Sequence, residues 1–226
     1  MIKFSQVTKK FGEIIALDNI SFRVKSGEFV FLTGPSGAGK TTVVKHILKE
    51  FSPTQGKIVV NGQDLDEISP RKLSSYRRKI GTCFQDFKLI PDRTVFENVS
   101  LPLEVLGKKK EKIKKKVEEI LELVGLEERA DLFPAQLAGG EVQRTCLARA
   151  ISYDPEILIA DEPTGNLDPT SSWQIVKLFK KVNKNKTTVL VATHNVEIVN
   201  SVKERVITLE KGKIVKDEKK GQYQAI

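Results

Sequence analysis

Short apolar runs alternate with segments of helical spacing along most of the chain, and one long middle stretch breaks the alternation. Ile2, Phe4 and Val7 mark a first strand and Ile20 to Val24 another, so residues 1–33 are predicted to form an antiparallel β unit. Ser26-Gly27 turns the chain into a buried strand, Glu28-Phe29-Val30-Phe31-Leu32-Thr33. From Thr41 to Phe51, the residues Val43, Val44, Ile47, Leu48 and Phe51 recur at helical intervals. Gly56 to Gly62 predicts a strand closed by an Asn61-Gly62 turn. Ser69-Pro70 opens a helix to about Lys79, and Lys79 to Gln85 is again a strand.

From Asp86 to about Pro134 the β character disappears. Helices are predicted over Thr94 to Leu106 and Lys109 to Val124, and Leu137 to Glu141 opens a third, carried by Val142, Leu147, Ala148 and Ile151. Alternation then resumes. Ile157 to Glu162 is a buried strand ending in two acids, Ser171 to Val182 a helix, and Thr188 to Ala192 a strand before Thr193-His194. Arg205 to Glu210 and Lys213 to Lys216 form a hairpin around Lys211-Gly212, and the last ten or so residues read as frayed. The expected organisation is a single α/β domain over residues 1–226. Its core is 1–85 with 151–226, and a helical subdomain, 86–150, is inserted.

Bulk properties narrow the setting. The 226 residues are 39% hydrophobic and 30% charged, ordinary for a globular chain with a substantial core. No apolar run approaches bilayer length and the N-terminus has no signal-peptide pattern. A cytoplasmic chain is expected, reaching a membrane only through a partner. Cys83 and Cys146 lie far apart without metal-ligand spacing and read as reduced apolar fillers. The net charge of +9 admits an anionic partner, but much of the excess sits in Lys108 to Lys116. There Ile113, Val117, Ile120, Leu121 and Val124 keep helical spacing, so the lysines read as the solvated face of an amphipathic helix.

The chemistry centres on Gly34-Pro35-Ser36-Gly37-Ala38-Gly39-Lys40-Thr41, a full match to the P-loop pattern between a strand and a helix, with Thr42 next in line. Its glycines let successive N–H groups turn toward phosphate oxygens, and the helix N-terminus adds a favourable dipole. Lys40 supplies a charge for the β- and γ-phosphates, and the Thr41 hydroxyl is a candidate Mg²⁺ ligand. At the next strand end, Asp161 is placed to hold the metal shell and Glu162 to orient the attacking water. Gln85 and His194 also end strands, where parallel sheets present ligand groups. Gln85 is a candidate for the metal and the water, His194 for the γ-phosphate. His46, on the P-loop helix, reads as structural.

Taken in order, Phe11, the P-loop, Gln85, Leu137-Ala138-Gly139-Gly140-Glu141-Val142-Gln143-Arg144, Asp161-Glu162, Asn166-Leu167-Asp168 and His194 resemble the full motif set of an ABC-type ATPase subunit. The resemblance spans the chain and implies a P-loop NTPase fold, an ABC nucleotide-binding domain with ATP and Mg²⁺ as its ligands. It implies Phe11 stacking on adenine and a homodimer closing on two ATPs. Each site would combine one subunit's P-loop with Ala138, Gly139, Gly140 and Glu141 of the other, Asp168 lying at the junction. The residues after Gln85 would receive a membrane subunit, with Phe87, Leu89, Ile90 and Pro91 as candidate contacts.

Asp161 to Asp168 is similar to the branch of lipoprotein-release, macrolide-export and cell-division ATPases. Phe84-Gln85-Asp86 with Asp92 to Val99 looks most like the cell-division members, which implies an FtsX-type integral membrane partner and a place on the cytoplasmic face of the membrane. Two alternatives stay open, an ATPase of a lipoprotein-release or export transporter and a soluble ABC ATPase of nucleic acid or ribosomes. A module that binds ATP without turnover is disfavoured by Glu162. One departure stands out: Ala138 occupies the place of the family's serine, whose hydroxyl reaches the γ-phosphate across the dimer, and Val142 that of a common glutamine. The lost bond to a charged group is worth about 1.5–3 kcal/mol, so slow turnover and weak closure are expected.

Overall fold

Phe29 and Phe31 face one side of their strand, Val30 and Leu32 the other, and both sides are buried. Such a strand belongs inside a parallel sheet covered on both faces. The computed structural model, which describes residues 1–224, places it there.

The chain begins as a long hairpin, β1 (Ile2–Phe11) and β2 (Ile14–Val24). β2 starts well before the predicted Ile20, because pairing across to β1 (Phe11 with Ile14, Lys9 with Leu17) holds a segment whose own pattern is irregular. β3 (Phe29–Thr33) then passes into the larger sheet. The P-loop helix α1 (Lys40–Ile47) stops short of the predicted Phe51, the backbone turning left-handed at Lys49 with φ 50°. β4 (Gln55–Val60) returns beside β1, and Asn61-Gly62, both at positive φ, turn into β5 (Gln63–Asp64) as expected. These strands make a four-stranded antiparallel sheet in the order β2-β1-β4-β5. α2 (Pro70–Arg77) starts where predicted, though the Ser69 side chain makes no capping bond.

After β6 (Ile80–Phe84) come three helices without an intervening strand, α3 (Val95–Val105), α4 (Lys110–Val124) and α5 (Gly139–Ile151). Thr94 and Glu97 form a complete capping box at the start of α3. The buried Asn98 amide binds Ile90 N–H and the carbonyls of Ile90 and Arg93, and Arg149 donates to the carbonyls of Phe87 and Lys88. Much of the segment expected to meet a partner is therefore fastened to its own helices. α4 buries Ile113, Val117, Ile120, Leu121 and Val124 and leaves most of its lysines exposed, as the pattern predicts. Cys83 and Cys146, distant in sequence, meet between β6 and α5 with their sulfurs 3.3 Å apart. Both are buried thiols.

The remainder runs β7 (Ile157–Asp161), α6 (Pro169–Lys184), β8 (Thr188–Ala192), α7 (Val196–Val202), β9 (Arg205–Glu210) and β10 (Lys213–Glu218). The large sheet has the order β10-β9-β3-β8-β7-β6, parallel except for β10. Successive residues of β3, β7 and β8 feed opposite cores, one shared with α1 and the antiparallel sheet, the other with α3 to α6. α7 is too short and irregular to have been read from sequence. The tail differs most from expectation: Gly221 N–H bonds the Glu204 carbonyl and Tyr223 is buried, because the groove beside α7 and β9 takes up its ring. Ala225 and Ile226, part of the stretch read as frayed, lie outside the described residues.

Candidate functional site

The loop after β3 owes its path to two glycines. A Cβ on Gly34, at φ 144°, would lie 2.2 Å from the Leu209 carbonyl oxygen. One on Gly39, at φ 107°, would lie 2.7 Å from that of Ala16. The backbone from Gly34 to Lys40 is thereby pressed between β9 and β2 and delivered to the start of α1. Pro35, Ser36, Gly37, Ala38, Gly39, Lys40, Thr41 and Thr42 line one side of a cavity of about 630 Å³.

The opposite side comes from other strand ends. Gln85 follows β6, Glu162 follows β7 and His194 follows β8, and all three line the same cavity. Parallel pairing β6-β7-β8-β3 aligns their C-terminal ends and so collects residues from four distant parts of the chain. Glu162 is held tightly. Its backbone is left-handed at φ 48°, and its N–H donates to the Ala192 carbonyl at 2.8 Å, tying β7 to β8. Its carboxylate lies 3.4 Å from Lys40 Nζ and 2.9 Å from His194 Nδ1, and accepts the His194 N–H at 3.3 Å. Lys40 Nζ also donates to the Gly34 and Pro35 carbonyls at 2.8 and 3.2 Å. A strained backbone conformation of this kind, costing about 1–3 kcal/mol, is typical of functional positions.

Asp161 is buried and its Oδ1 has no hydrogen-bond partner. Burial pushes its carboxyl above the ordinary range, with Glu162 adding to the rise and the Thr41 hydroxyl bond and Lys40 opposing it. A buried carboxylate oxygen without a partner, beside a threonine hydroxyl, suits a hard divalent cation sharing its remaining ligands with phosphate and water. Among the described residues no group of three or more His, Cys, Asp or Glu assembles, so such an ion would depend on the nucleotide for part of its shell.

Other expected residues fall elsewhere. Phe11 does not line the cavity; its ring sits edge-on to Phe51 at 5.1 Å, with Lys9 Nζ 4.9 Å from its centre. The contact with Phe51 is edge-on and leaves Phe11 42% exposed, and Ile14 and Ile15 on the same hairpin line the cavity. Ala138, Gly139, Gly140 and Glu141 are also outside it, at the start of α5. The Glu141 carboxylate is engaged within the chain, accepting from Ala138 N–H and Arg129 at 2.9 Å each, and Arg129 holds its pKa low. Asp168 caps α6 by accepting the Ser171 N–H, and the Ser171 hydroxyl together with that N–H lowers its pKa. A Cβ on Gly140 would lie 2.8 Å from Ser171 Oγ, so the glycine pair and the start of α6 form one surface. His46 is buried with Nδ1 2.7 Å from the Thr42 carbonyl, consistent with a structural part. Sequence reasoning missed Ile14, Ile15 and Tyr223, all lining residues. An aromatic within a polar tail was the one available sign of Tyr223.

A phosphate-binding loop facing strand-end Asp, Glu, Gln and His groups, with a glycine pair directed elsewhere, marks an ATP-hydrolysing subunit of the ABC class. Residues 17–165 match the family described as ABC transporter, and the chain belongs to that family. Within it, the chain is 51% identical to the cell division ATP-binding protein FtsE of Bacillus subtilis (strain 168), covering 99% of this chain and 98% of that protein. The protein of the same name from Mycobacterium tuberculosis (strain ATCC 25618 / H37Rv) is 44% identical, with coverage of 99% and 98%. A solved dimeric ATP-binding cassette, in a post-hydrolysis state bound to ADP and Pi, superposes with a TM-score of 0.89 at 38% identity, covering 99% of this chain and all of that one.

Proposed function

We propose that this chain is the ATPase subunit of a cell-division complex of the FtsE type. It would work as a homodimer on an FtsX-type integral membrane protein at the cytoplasmic face of the membrane. The observation that carries the hydrolytic part is the contact of Glu162 with both Lys40 and His194, next to Asp161 with its unpartnered Oδ1. Full-length similarity to two proteins named FtsE supports the division assignment. No helix among the described residues is long and apolar enough to cross a membrane.

The P-loop N–H groups and Lys40 would hold the β- and γ-phosphates, with the base against the β1–β2 hairpin beside Ile14, Ile15 and the half-exposed Phe11. Thr41, Gln85 and Asp161 would hold Mg²⁺, which supplies charge neutralisation at the phosphates. Glu162 would orient water for in-line attack, and His194, already bonded to it, would meet the γ-phosphate. Ala138 to Glu141 and Asp168 would serve the second subunit's nucleotide. We take residues 86–150 as the lobe that presents this surface and receives the membrane partner.

The test is affinity purification of the Glu162→Gln chain with ATP from detergent-solubilised host membranes. Recovery of a four-helix membrane protein with a modest extracytoplasmic domain supports the proposal. A permease carrying lipoproteins would move the chain to the transporter branch, and nucleic acid or ribosomes alone would remove the membrane partner altogether.

A further inference from the structure

Tyr223 lines the cavity that holds Lys40, Gln85, Glu162 and His194, yet only 4% of the residue is exposed. Its position is built in. Tyr223 N–H donates to Asn200 Oδ1 at 2.7 Å, and Asn200 Nδ2 donates back to the Tyr223 carbonyl at 3.0 Å. Upstream, Gly221 N–H bonds the Glu204 carbonyl, and Gly221 lies so close to Val206 that a Cβ there would come within 2.7 Å of it. Asn200 belongs to α7, the helix that begins just after His194. The tail is therefore fastened to the helix that directly follows the histidine.

The ring and the hydroxyl have different surroundings. The ring joins the core that includes Ile198, Val199 and Val206, a place phenylalanine would fill equally well. The hydroxyl makes no hydrogen bond among the described residues, and the residue lines the cavity. Burial, with the nearby Glu162 charge adding to it, raises the phenol above its ordinary range and keeps it a neutral donor at physiological pH.

We propose that Tyr223 is a positioning residue for hydrolysis, its hydroxyl helping to orient the attacking water held by Glu162. The inference rests on Glu162 being the water-orienting group, and the two can fail separately.

The experiment measures ATP turnover by the full chain, alone and in the recovered membrane complex, for wild type, Tyr223→Phe, Asn200→Ala and Glu162→Gln. Loss of one neutral hydrogen bond at the water predicts a kcat about three- to tenfold lower in Tyr223→Phe, with KM for ATP and Tm unchanged. Asn200→Ala, which frees the tail, should lower kcat similarly and add nothing to Tyr223→Phe in the double variant. A kcat for Tyr223→Phe equal to wild type overturns the inference, as does a raised KM with unchanged kcat, which would assign the hydroxyl to nucleotide binding. Full turnover by Glu162→Gln would instead overturn the reading beneath it.

Discussion

Lys40 and Glu162 form an ion pair at 3.4 Å, with 7% and 15% of their side chains exposed. The cation proposed to hold phosphate and the carboxylate proposed to hold water thus restrain each other, and in the proposed mechanism ATP would draw Lys40 toward its phosphates and release Glu162. Nucleotide binding and assembly of the hydrolytic geometry would then be coupled through this contact.

Neutralising the carboxylate should therefore separate affinity from turnover. Glu162→Gln is expected to lower kcat by roughly 10²–10⁴-fold, the range for loss of a positioned acid–base group. ATP affinity should rise, since Lys40 loses a competing anion. Nucleotide titration alongside phosphate release checks both directions, and weaker ATP binding would contradict the coupling.

Asp161 should trade stability for function. Its folded pKa is raised by burial, so the folded state holds the proton more tightly than the unfolded chain. Stability from this group therefore increases as pH falls through the window between the ordinary carboxylate pKa and the raised one, and the ionised form costs stability at neutral pH. Asp161→Asn is expected to stabilise the nucleotide-free chain by about 0.5–2 kcal/mol at pH 7 while abolishing Mg²⁺-dependent turnover. Thermal melts at pH 4 and pH 7 should show that advantage shrinking at the lower pH.

Ala138 is the N-cap of α5 without a capping oxygen, although Glu141 already reaches back to its N–H at 2.9 Å. Ala138→Ser would complete the capping box and should add about 1 kcal/mol of stability without nucleotide. If the hydroxyl also reaches the partner's ATP, turnover should rise roughly ten- to a hundredfold, as for a bond to a charged group. A higher Tm with unchanged turnover would confine the serine to capping.

The Cys83–Cys146 pair should be inert to alkylating reagents in the folded chain. Both thiols are buried, which closes them to reagent; the bond between them raises the Cys83 pKa and lowers that of Cys146, so burial, not pKa, is what protects Cys146. Iodoacetamide labelling followed by mass spectrometry should find neither modified without denaturant and both modified in it.

Most of the sheet was legible because a buried parallel strand needs an unbroken apolar run, as at Phe29 to Thr33 and Thr188 to Ala192. The P-loop was legible for a related reason, its spacing being imposed by backbone geometry within a few residues, and Asp161-Glu162 because they end a buried apolar run. The early start of β2, the early end of α1 and the existence of α7 were not, since each is set by pairing, a single left-handed residue or docking rather than by periodicity. Phe11 turned to Phe51, and Glu141 to Arg129, through contacts between segments distant in the chain.

By itself the sequence determined most of the elements, the loop that can cradle phosphate and the family to which they belong, because those depend on neighbours along the chain. Only the tertiary structure decided that Glu162 meets both Lys40 and His194, that two remote cysteines touch, and that a polar tail returns a tyrosine to the cavity. Each of those contacts joins residues far apart in the chain, and local spacing carries no information about which strand ends a parallel sheet will align.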